Sequence, residues 1–297
     1  MLSRALSFDT VAQSYDEVRP RYPEALFDDL LNIAHPRQGG RILEVGAGSG
    51  IATRPFAARG FDVVALEPGA ELASLARRNL ATYPNAVVHR VSFEKARLAT
   101  ASFEMIVSAT AWHWVDPLRG ASIAARVLPS GGTLALWWMG FSTLTDPFVA
   151  QSREIIRSWV SSPAAAVNGA LWMYTGTPRG PAGSVSSCLA GDVAAHPDFV
   201  KIDQRRYVTK LSYDADTYVQ LLGTYADFVL LPEPIRSGLY DDIRRLINDQ
   251  FSGRVTRTFV TTLYVWRRQK RAGRKLPMNA GSPAKRSISS SRIEVGS

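Results

Sequence analysis

The feature that most constrains this chain is a short apolar run that ends in a turn rich in glycine. Residues 41–45 read Arg-Ile-Leu-Glu-Val, and Gly46, Gly48 and Gly50 follow within five positions. An apolar run bounded by glycines predicts a buried strand that feeds a tight turn. Glycine permits positive φ and a close approach of the backbone to a ligand, and a helix N-terminus after the turn offers unpaired N–H groups. The pattern therefore predicts a ligand-binding turn between a strand and a helix.

Up to about residue 140, the remaining sequence alternates between strand patterns and helical patterns. Strands are predicted at 61–66, 86–91, 105–109 and 133–138, with helices at about 51–60, 70–81 and 117–128. In the first of these helices, either the regular part starts near Thr53, with Thr53 as the N-cap, or Pro55 kinks the helix. This alternation of strands and helices predicts a doubly wound, mostly parallel α/β sheet.

The alternation stops between about 141 and 215, where the sequence looks like an inserted, mainly helical cap. Helical patterns resume at 214–228 and 233–250, and residues 257–266 alternate like an edge strand. We therefore expect five segments, which are an N-terminal helical entry or lid segment (1–35), a cofactor-binding core (36–140), the cap or substrate region (141–204), the C-terminal part of the core (205–266) and a disordered basic tail (267–297).

The net charge of +9 is concentrated in that tail. Residues 267–297 hold nine basic side chains against Glu294 alone, which accounts for eight of the nine net positive charges. A body close to neutral argues against a basic nucleic-acid surface, so we expect no nucleic-acid partner, and a segment this polar is expected to be disordered. No apolar run approaches the length of a bilayer span, and no secretory signal is visible. With Cys188 as the single cysteine, the expected setting is reducing and cytoplasmic.

Carboxylates and polar residues recur at the ends of the predicted strands. Glu67 ends the second strand, 21 residues after Gly46, where a carboxylate can accept hydrogen bonds from both ribose hydroxyls. Ser92 and Phe93 follow the third strand, where an adenine would meet an apolar side chain and a polar edge. Glu44, just before the glycine turn, suits an ammonium group and would repel a pyrophosphate. The pattern predicts a nucleoside ligand without phosphates, and it disfavours the nicotinamide fingerprint and the P-loop.

These motifs together resemble the class I methyltransferases that use S-adenosylmethionine, specifically their type 11 group. The resemblance rests on E-V-G-A-G-S-G at 44–50, A-L-E-P at 65–68, Ser92-Phe93-Glu94 and S-F-E-M-I-V at 102–107, together with an N-terminal segment that ends R-P-R-Y-P at 19–23. The run A-W-H-W at 111–114 resembles the signature of the branch that contains the trans-aconitate and related carboxyl O-methyltransferases. The resemblance implies a seven-stranded, Rossmann-like sheet, and it leaves the cap without an assignment.

The resemblance also implies roles for individual residues. Glu44 and the glycine turn would line the methionine end of the cofactor, Glu67 and the adjoining Pro68 would lie at the ribose, and Ser92 with Phe93 would frame adenine. Ala111 would lie beside the transferred methyl group. The cofactor residues expected on this basis are Tyr15, Arg19, Glu44, Gly46, Ala47, Gly48, Gly50, Glu67, Pro68, Ser92, Phe93 and Ala111, and the expected catalytic residues are His113, Trp114 and Tyr15.

The expected activity is methyl transfer from S-adenosylmethionine, with S-adenosylhomocysteine as product, to a small carboxylic or hydroxylated acceptor. A carboxylate is ionised at neutral pH and needs no base, whereas a hydroxyl needs one, for which His113 is the natural candidate. His113 is therefore a base, an orienting donor or a structural residue. The alternatives are C-methylation in natural-product or lipid tailoring, and a non-catalytic binding or regulatory protein that uses the basic tail. We expect no metal site, no membrane span and a monomer or homodimer.

Overall fold

The computed structural model describes residues 16–142, 146–160 and 190–269. The first half contains α1 (Glu24–Ala34), β1 (Arg41–Val45), α2 (Thr53–Ala58), β2 (Asp62–Leu66), α3 (Ala70–Asn79), β3 (Ala86–His89), β4 (Met105–Ala109), a 3₁₀ turn (Trp112–Trp114), α4 (Gly120–Val127) and β5 (Thr133–Phe141). The second half contains α5 (Pro147–Val160), α6 (Gly191–Ala195), β6 (Phe199–Asp214), α7 (Ala215–Leu222), α8 (Ala226–Val229), α9 (Glu233–Gln250) and β7 (Arg254–Arg268).

The seven strands form one sheet in the order β3-β2-β1-β4-β5-β7-β6. The first five are parallel, and β7 runs antiparallel to both of its neighbours, β5 and β6. The predicted doubly wound, mostly parallel, seven-stranded sheet is confirmed. The chain winds outward from β1 in one direction and from β4 in the other, so the carboxyl ends of β1 and β4 flank the topological switch point. Ligands of open α/β sheets bind at this position.

Successive residues of the central strands pack on opposite faces of the sheet. Ile42 belongs to a core with α1 and α2, and Leu43 belongs to a second core with α4 on the other face. Because side chains alternate along a strand, a strand buried on both faces reads as a continuous apolar run. This explains why β1 and β4 were recognisable in the sequence without alternation.

The later helices build a further core over the distal ends of β5 and β7. The apolar faces of α5, α7 and α9 meet there around Phe148, Tyr218, Leu239 and Phe259, and Val18 of the N-terminal segment joins them. Apolar burial of this kind supplies about 25 cal/mol per Å² removed from water. The C-terminal region is therefore packed onto the end of the sheet at which β5 terminates.

One strand prediction and one predicted segment boundary differ from the structure. The segment predicted as an edge strand is β7, which is internal and pairs on both sides, while β6 forms the edge. Alternation reports that one face of a strand is more buried than the other, and it carries no information about hydrogen-bonded neighbours. Strand β6 begins at Phe199 and crosses the boundary expected at 204/205, because its half-buried face carries Asp203, Arg205 and other polar side chains that hide the strand pattern.

The helix after the glycine turn begins at Thr53, and Pro55 lies in its first turn, where proline is tolerated. The N-cap is Ala52 rather than Thr53, so the predicted capping role of Thr53 is wrong. Its hydroxyl donates to Glu44 instead. In the described ranges, no helix is both long and apolar enough to cross a membrane.

Candidate functional site

The glycine turn after β1 requires glycine for two separate reasons. Gly46, Gly48 and Gly50 have φ of 74°, 58° and 86°, in the left-handed region that other residues avoid. A Cβ added to Gly46 would lie 2.4 Å from the Cβ of Ala111, which follows β4. The N–H groups of Gly46 and Ala47 donate to the Leu66 carbonyl at 2.9 and 3.0 Å, which fixes the turn against the end of β2. The backbone is thus held in an open cradle at the switch point.

Glu67 connects this cradle to the next helix. One carboxylate oxygen accepts the Gly48 N–H and the other accepts the Gly69 N–H, each at 2.8 Å. Its side chain is buried, and Pro68 bridges it to Gly69, the N-cap residue of α3. Each carboxylate oxygen has a second lone pair, so the group retains acceptor capacity for ligand hydroxyls. Glu67 therefore sets the shape of the turn in addition to its predicted contact with ribose.

Glu44 is fully buried at the end of β1, and one of its oxygens has no partner. Thr53 donates to Oε2 at 2.5 Å, while Oε1 accepts no hydrogen bond from the described residues. Burial raises the pKa of Glu44 to about 8, the Thr53 hydrogen bond opposes this, and the charge of Glu67 adds to it. Buried polar atoms without partners are rare and call for a ligand, an ion or a water. A cation placed at Oε1 would satisfy this carboxylate.

The residues predicted for adenine lie after β3. Ser92 is half-buried, and its carbonyl accepts the N–H groups of Lys95 and Ala96. The ring of Phe93 is buried and lies 5.7 Å from the ring of Trp112. In this arrangement Phe93 packs into the core, beneath the position predicted for adenine.

Thr110 is a site residue that sequence reasoning missed. It follows β4 with φ of 55°, an uncommon conformation for a β-branched residue. Its hydroxyl lies 3.1 Å from the Tyr22 hydroxyl and accepts the Met139 N–H at 3.3 Å. Backbone strain of this kind concentrates at functional sites. Nothing in the sequence marks it, because its hydrogen-bond partners lie on β5 and in the N-terminal segment, which are distant along the chain.

The N-terminal segment closes over the cradle. Asp16 accepts a hydrogen bond from the Ser49 hydroxyl at 2.7 Å, a contact that sequence reasoning did not anticipate. Burial alone would raise the pKa of Asp16, but hydrogen bonds from Arg21 and Ser49 outweigh it and lower the pKa. Tyr15, predicted at both the cofactor and the acceptor, lies outside the described residues.

Arg19 links the same segment to the C-terminal helices. Its Nε donates to the Thr224 hydroxyl at 2.8 Å, and its guanidinium lies 3.9 Å from the centre of the Tyr225 ring. It also lines a recess near the end of the glycine turn. The six other lining residues are Pro20, Tyr22, Ile51, Thr110, Met139 and Tyr225. Arg19 therefore places a cation beside the predicted methionine end.

His113 and Trp114 lie in the 3₁₀ turn after β4. The two rings are 4.6 Å apart, and the Nδ1 atom of His113 accepts the indole N–H of Trp138 at 3.3 Å. Trp114 is half-buried. The structure thus brings Glu44, Glu67, the glycine turn, Ala111 and His113 to the carboxyl ends of β1, β2 and β4. Among the described side chains, no group of three or more metal-ligating residues is present.

Part of the chain is similar to known methyltransferases. Residues 43–136 match the model of a methyltransferase domain. An uncharacterized methyltransferase of Mycobacterium tuberculosis is 39% identical over 165 residues, which cover 54% of this chain and 65% of the relative. The chain therefore spans slightly less than two thirds of that relative's length. A malonyl-[acyl-carrier protein] O-methyltransferase of Enterobacter lignolyticus is 31% identical over 156 residues, or 52% of this chain and 57% of the relative.

A solved structure shows the same fold. A protein from Anaeromyxobacter dehalogenans, described as a candidate type II methyltransferase, superposes with a TM-score of 0.59 at 23% identity, covering 84% of this chain and 97% of that chain. The matched domain and both of the relatives named above are described as methyltransferases.

Proposed function

We propose that this protein transfers a methyl group from S-adenosylmethionine to an oxygen of a small carboxylic or hydroxylated acceptor. The observation that carries the cofactor assignment is the buried, unpartnered Oε1 of Glu44 beside the glycine cradle. An ammonium group is the kind of ligand that satisfies such an oxygen. Phosphate-bearing cofactors would instead place negative charge against this carboxylate.

The residues present fit the parts of S-adenosylmethionine one by one. Glu44 would hold the ammonium group, and Glu67 would accept hydrogen bonds from the ribose hydroxyls. Arg19, on the recess at the end of the glycine turn, would face the carboxylate of the methionine portion. The Cβ of Ala111 fills the space beside Gly46, so the glycine turn packs directly against the end of β4, where the transferred methyl group would lie.

The chain contributes alignment and exclusion of water rather than covalent chemistry. When bound, S-adenosylmethionine supplies an electrophilic methyl group on a sulfonium. In-line displacement at such a centre is accelerated by holding the two reactants in a near-attack geometry. The N-terminal segment, held by Asp16 on Ser49 and by Tyr22 on Thr110, would cover the site and keep water out.

The choice of an oxygen acceptor draws on the relatives and on the sequence motif. One relative is named as an O-methyltransferase that acts on a malonyl group carried by acyl-carrier protein. The run at 111–114 independently resembles carboxyl O-methyltransferases. A carboxyl oxygen on a small molecule is therefore the acceptor that we favour.

The test is an acceptor screen with S-adenosylmethionine labelled in its methyl group. Small carboxylic acids are compared with the matching primary alcohols, and each product is treated with mild alkali. A methyl ester releases volatile labelled methanol, whereas an ether or a C-methyl product retains the label. We expect alkali-labile label from acids alone. Alkali-stable label would redirect the assignment to ether formation or C-methylation, and a protein that binds the cofactor without turnover on any acceptor would favour a binding role.

A further inference from the structure

The 3₁₀ turn that carries His113 is fixed from both sides by buried indoles. Trp112 is buried, and its N–H donates to the Asp192 carboxylate at 3.3 Å, which ties the turn to α6. On the other side, the N–H of Trp138 on β5 donates to His113. The imidazole is therefore oriented by a strand of the sheet rather than by the loop alone.

Burial and ring packing hold the indole N–H of Trp138 in its hydrogen bond to His113. Its side chain is buried, and its ring packs edge-on against Tyr264 at a centroid distance of 6.2 Å. The indole N–H is a donor that has no acceptor capacity, and a buried donor is costly to leave without a partner. Breaking the contact with His113 would leave this N–H without its partner in the core.

The chemistry of the indole fixes which nitrogen of His113 carries the proton. Because Trp138 donates, Nδ1 must accept with its lone pair, so the proton of the neutral ring lies on Nε2. A proton on Nδ1 would place the N–H of His113 against the indole N–H of Trp138, and two donors cannot form a hydrogen bond. A general base needs a lone pair directed at the proton that it removes. In this geometry the lone pair of His113 is directed at Trp138, and Nε2–H is a donor.

We propose that Trp138 is a positioning residue that holds His113 as a hydrogen-bond donor, and that the acceptor therefore reacts as a preformed carboxylate. This inference rests on the proposed function, and it gives a structural reason, independent of the relatives, for the carboxyl acceptor favoured there. The Nε2–H group would donate to one oxygen of the acceptor and orient the other toward the methyl group. A neutral hydroxyl acceptor would find no base at this position.

The transfer step balances without a proton acceptor. A lone pair of the carboxylate oxygen forms the new C–O bond while the bond between the methyl carbon and sulfur breaks. The bonding pair remains on sulfur, which becomes a neutral thioether, and the products are a methyl ester and S-adenosylhomocysteine. A hydroxyl acceptor would have to lose a proton in addition, and His113 in this tautomer cannot take it.

The direct test is the tautomer itself, which requires no acceptor. We would record long-range ¹H–¹⁵N spectra of the imidazole rings in the full chain with S-adenosylhomocysteine added, at pH 7.5. The chain has four histidines, and loss of signals in His113→Gln assigns the His113 ring. We expect the cross-peak pattern of a neutral ring protonated on Nε2, changed in Trp138→Phe. A ring protonated on Nδ1, or a cationic ring, would overturn the proposal.

Two substitutions separate a donor from a base once an acceptor is in hand. The side-chain amide introduced by His113→Gln can donate as Nε2–H does but cannot remove a proton, so this variant should keep kcat within about tenfold of the wild type. His113→Leu, which cannot donate, should lose more than about a hundredfold. Equal loss in both variants, with unchanged cofactor binding and melting temperature, would contradict the donor role. Because the spectra do not depend on turnover, a failed acceptor screen would overturn the proposed function and leave the tautomer result standing.

Discussion

At the scale of a single residue, Glu44 couples the proposed cofactor site to the stability of the protein. Its pKa is about 8 in the folded protein, against an ordinary value of 4.5. Between these two values the folded state binds more protons at this group than the unfolded state does. The free energy of unfolding must therefore fall as pH rises through this window, because stability decreases where the folded state holds the extra proton.

We predict that this pH dependence disappears in Glu44→Gln. The wild type without cofactor should lose up to about 1.4 kcal/mol of unfolding free energy per pH unit from this group between pH 5 and pH 8. Gln is nearly isosteric and does not titrate, so its curve should be flatter and should lie above the wild type at pH 8. Urea unfolding at pH 6 and pH 8 measures this. Parallel curves for the two proteins would show that Glu44 is ionised in the folded state.

Gly46 and Gly39 both have positive φ, so alanine at each position separates the effect of backbone strain from the effect of a steric clash. Gly46→Ala introduces both positive-φ strain and a Cβ at 2.4 Å from Ala111, whereas Gly39→Ala, at φ 70°, meets nothing within 4 Å. Strain alone costs about 1–2 kcal/mol, and overpacking costs about 1–3 kcal/mol more. We predict that Gly46→Ala is the more destabilising in urea unfolding and that it alone abolishes cofactor binding. Equal behaviour of the two variants would place the cofactor elsewhere.

At the scale of elements, the buried Arg257 on β7 contributes mainly through the packing of its side chain against aromatic rings. Its guanidinium lies 4.8 Å from the ring centre of Phe141 and 5.4 Å from that of Phe148. The ion pair with Asp146 is long, at 3.7 Å, and Nε has no hydrogen-bond partner among the described residues. The cost of removing this charge from water therefore offsets much of what its contacts provide.

We predict that Arg257→Met leaves the unfolding free energy within about 1 kcal/mol of the wild type, because Met refills the space between the rings. Arg257→Ala, which leaves a cavity, should lose about 2–4 kcal/mol. Denaturant unfolding of both variants shows whether Arg257 stabilises this core through the packing of its side chain or through its charge. If Met costs as much as Ala, the cation itself stabilises this core.

Elements built from continuous apolar runs could be predicted from the sequence, and those that depend on neighbours could not. The limits of β4 were predicted without error, and β1 with its glycine turn lies where its apolar run indicated. The internal position of β7 was missed because hydrogen-bond neighbours leave no trace in a side-chain pattern. Thr110 was missed for a related reason, since its hydrogen bonds to Tyr22 and Met139 join distant parts of the chain.

At the scale of the whole molecule, three regions that are far apart in the sequence meet over one end of the sheet. The N-terminal segment contacts the glycine turn through Asp16 and contacts the C-terminal helices through Arg19. The glycine turn contacts the β4 end through Gly46 and Ala111. The glycine turn and Glu67, which the sequence singled out, are joined by the hydrogen bond from the Gly48 N–H to Glu67. The sequence did not reveal the Asp16–Ser49 contact, which joins residues 33 positions apart.

The most direct test of the cofactor assignment is calorimetric binding of S-adenosylmethionine to the wild type and to Glu67→Ala, with Glu71→Ala as the matched control. Glu71 lies four residues further along, exposed in the first turn of α3, so its loss should leave the cofactor site intact. We predict micromolar binding by the wild type and by the control, with affinity reduced more than about tenfold, or roughly 1.4 kcal/mol, in Glu67→Ala. A folded wild-type protein that does not bind S-adenosylmethionine would contradict the central claim.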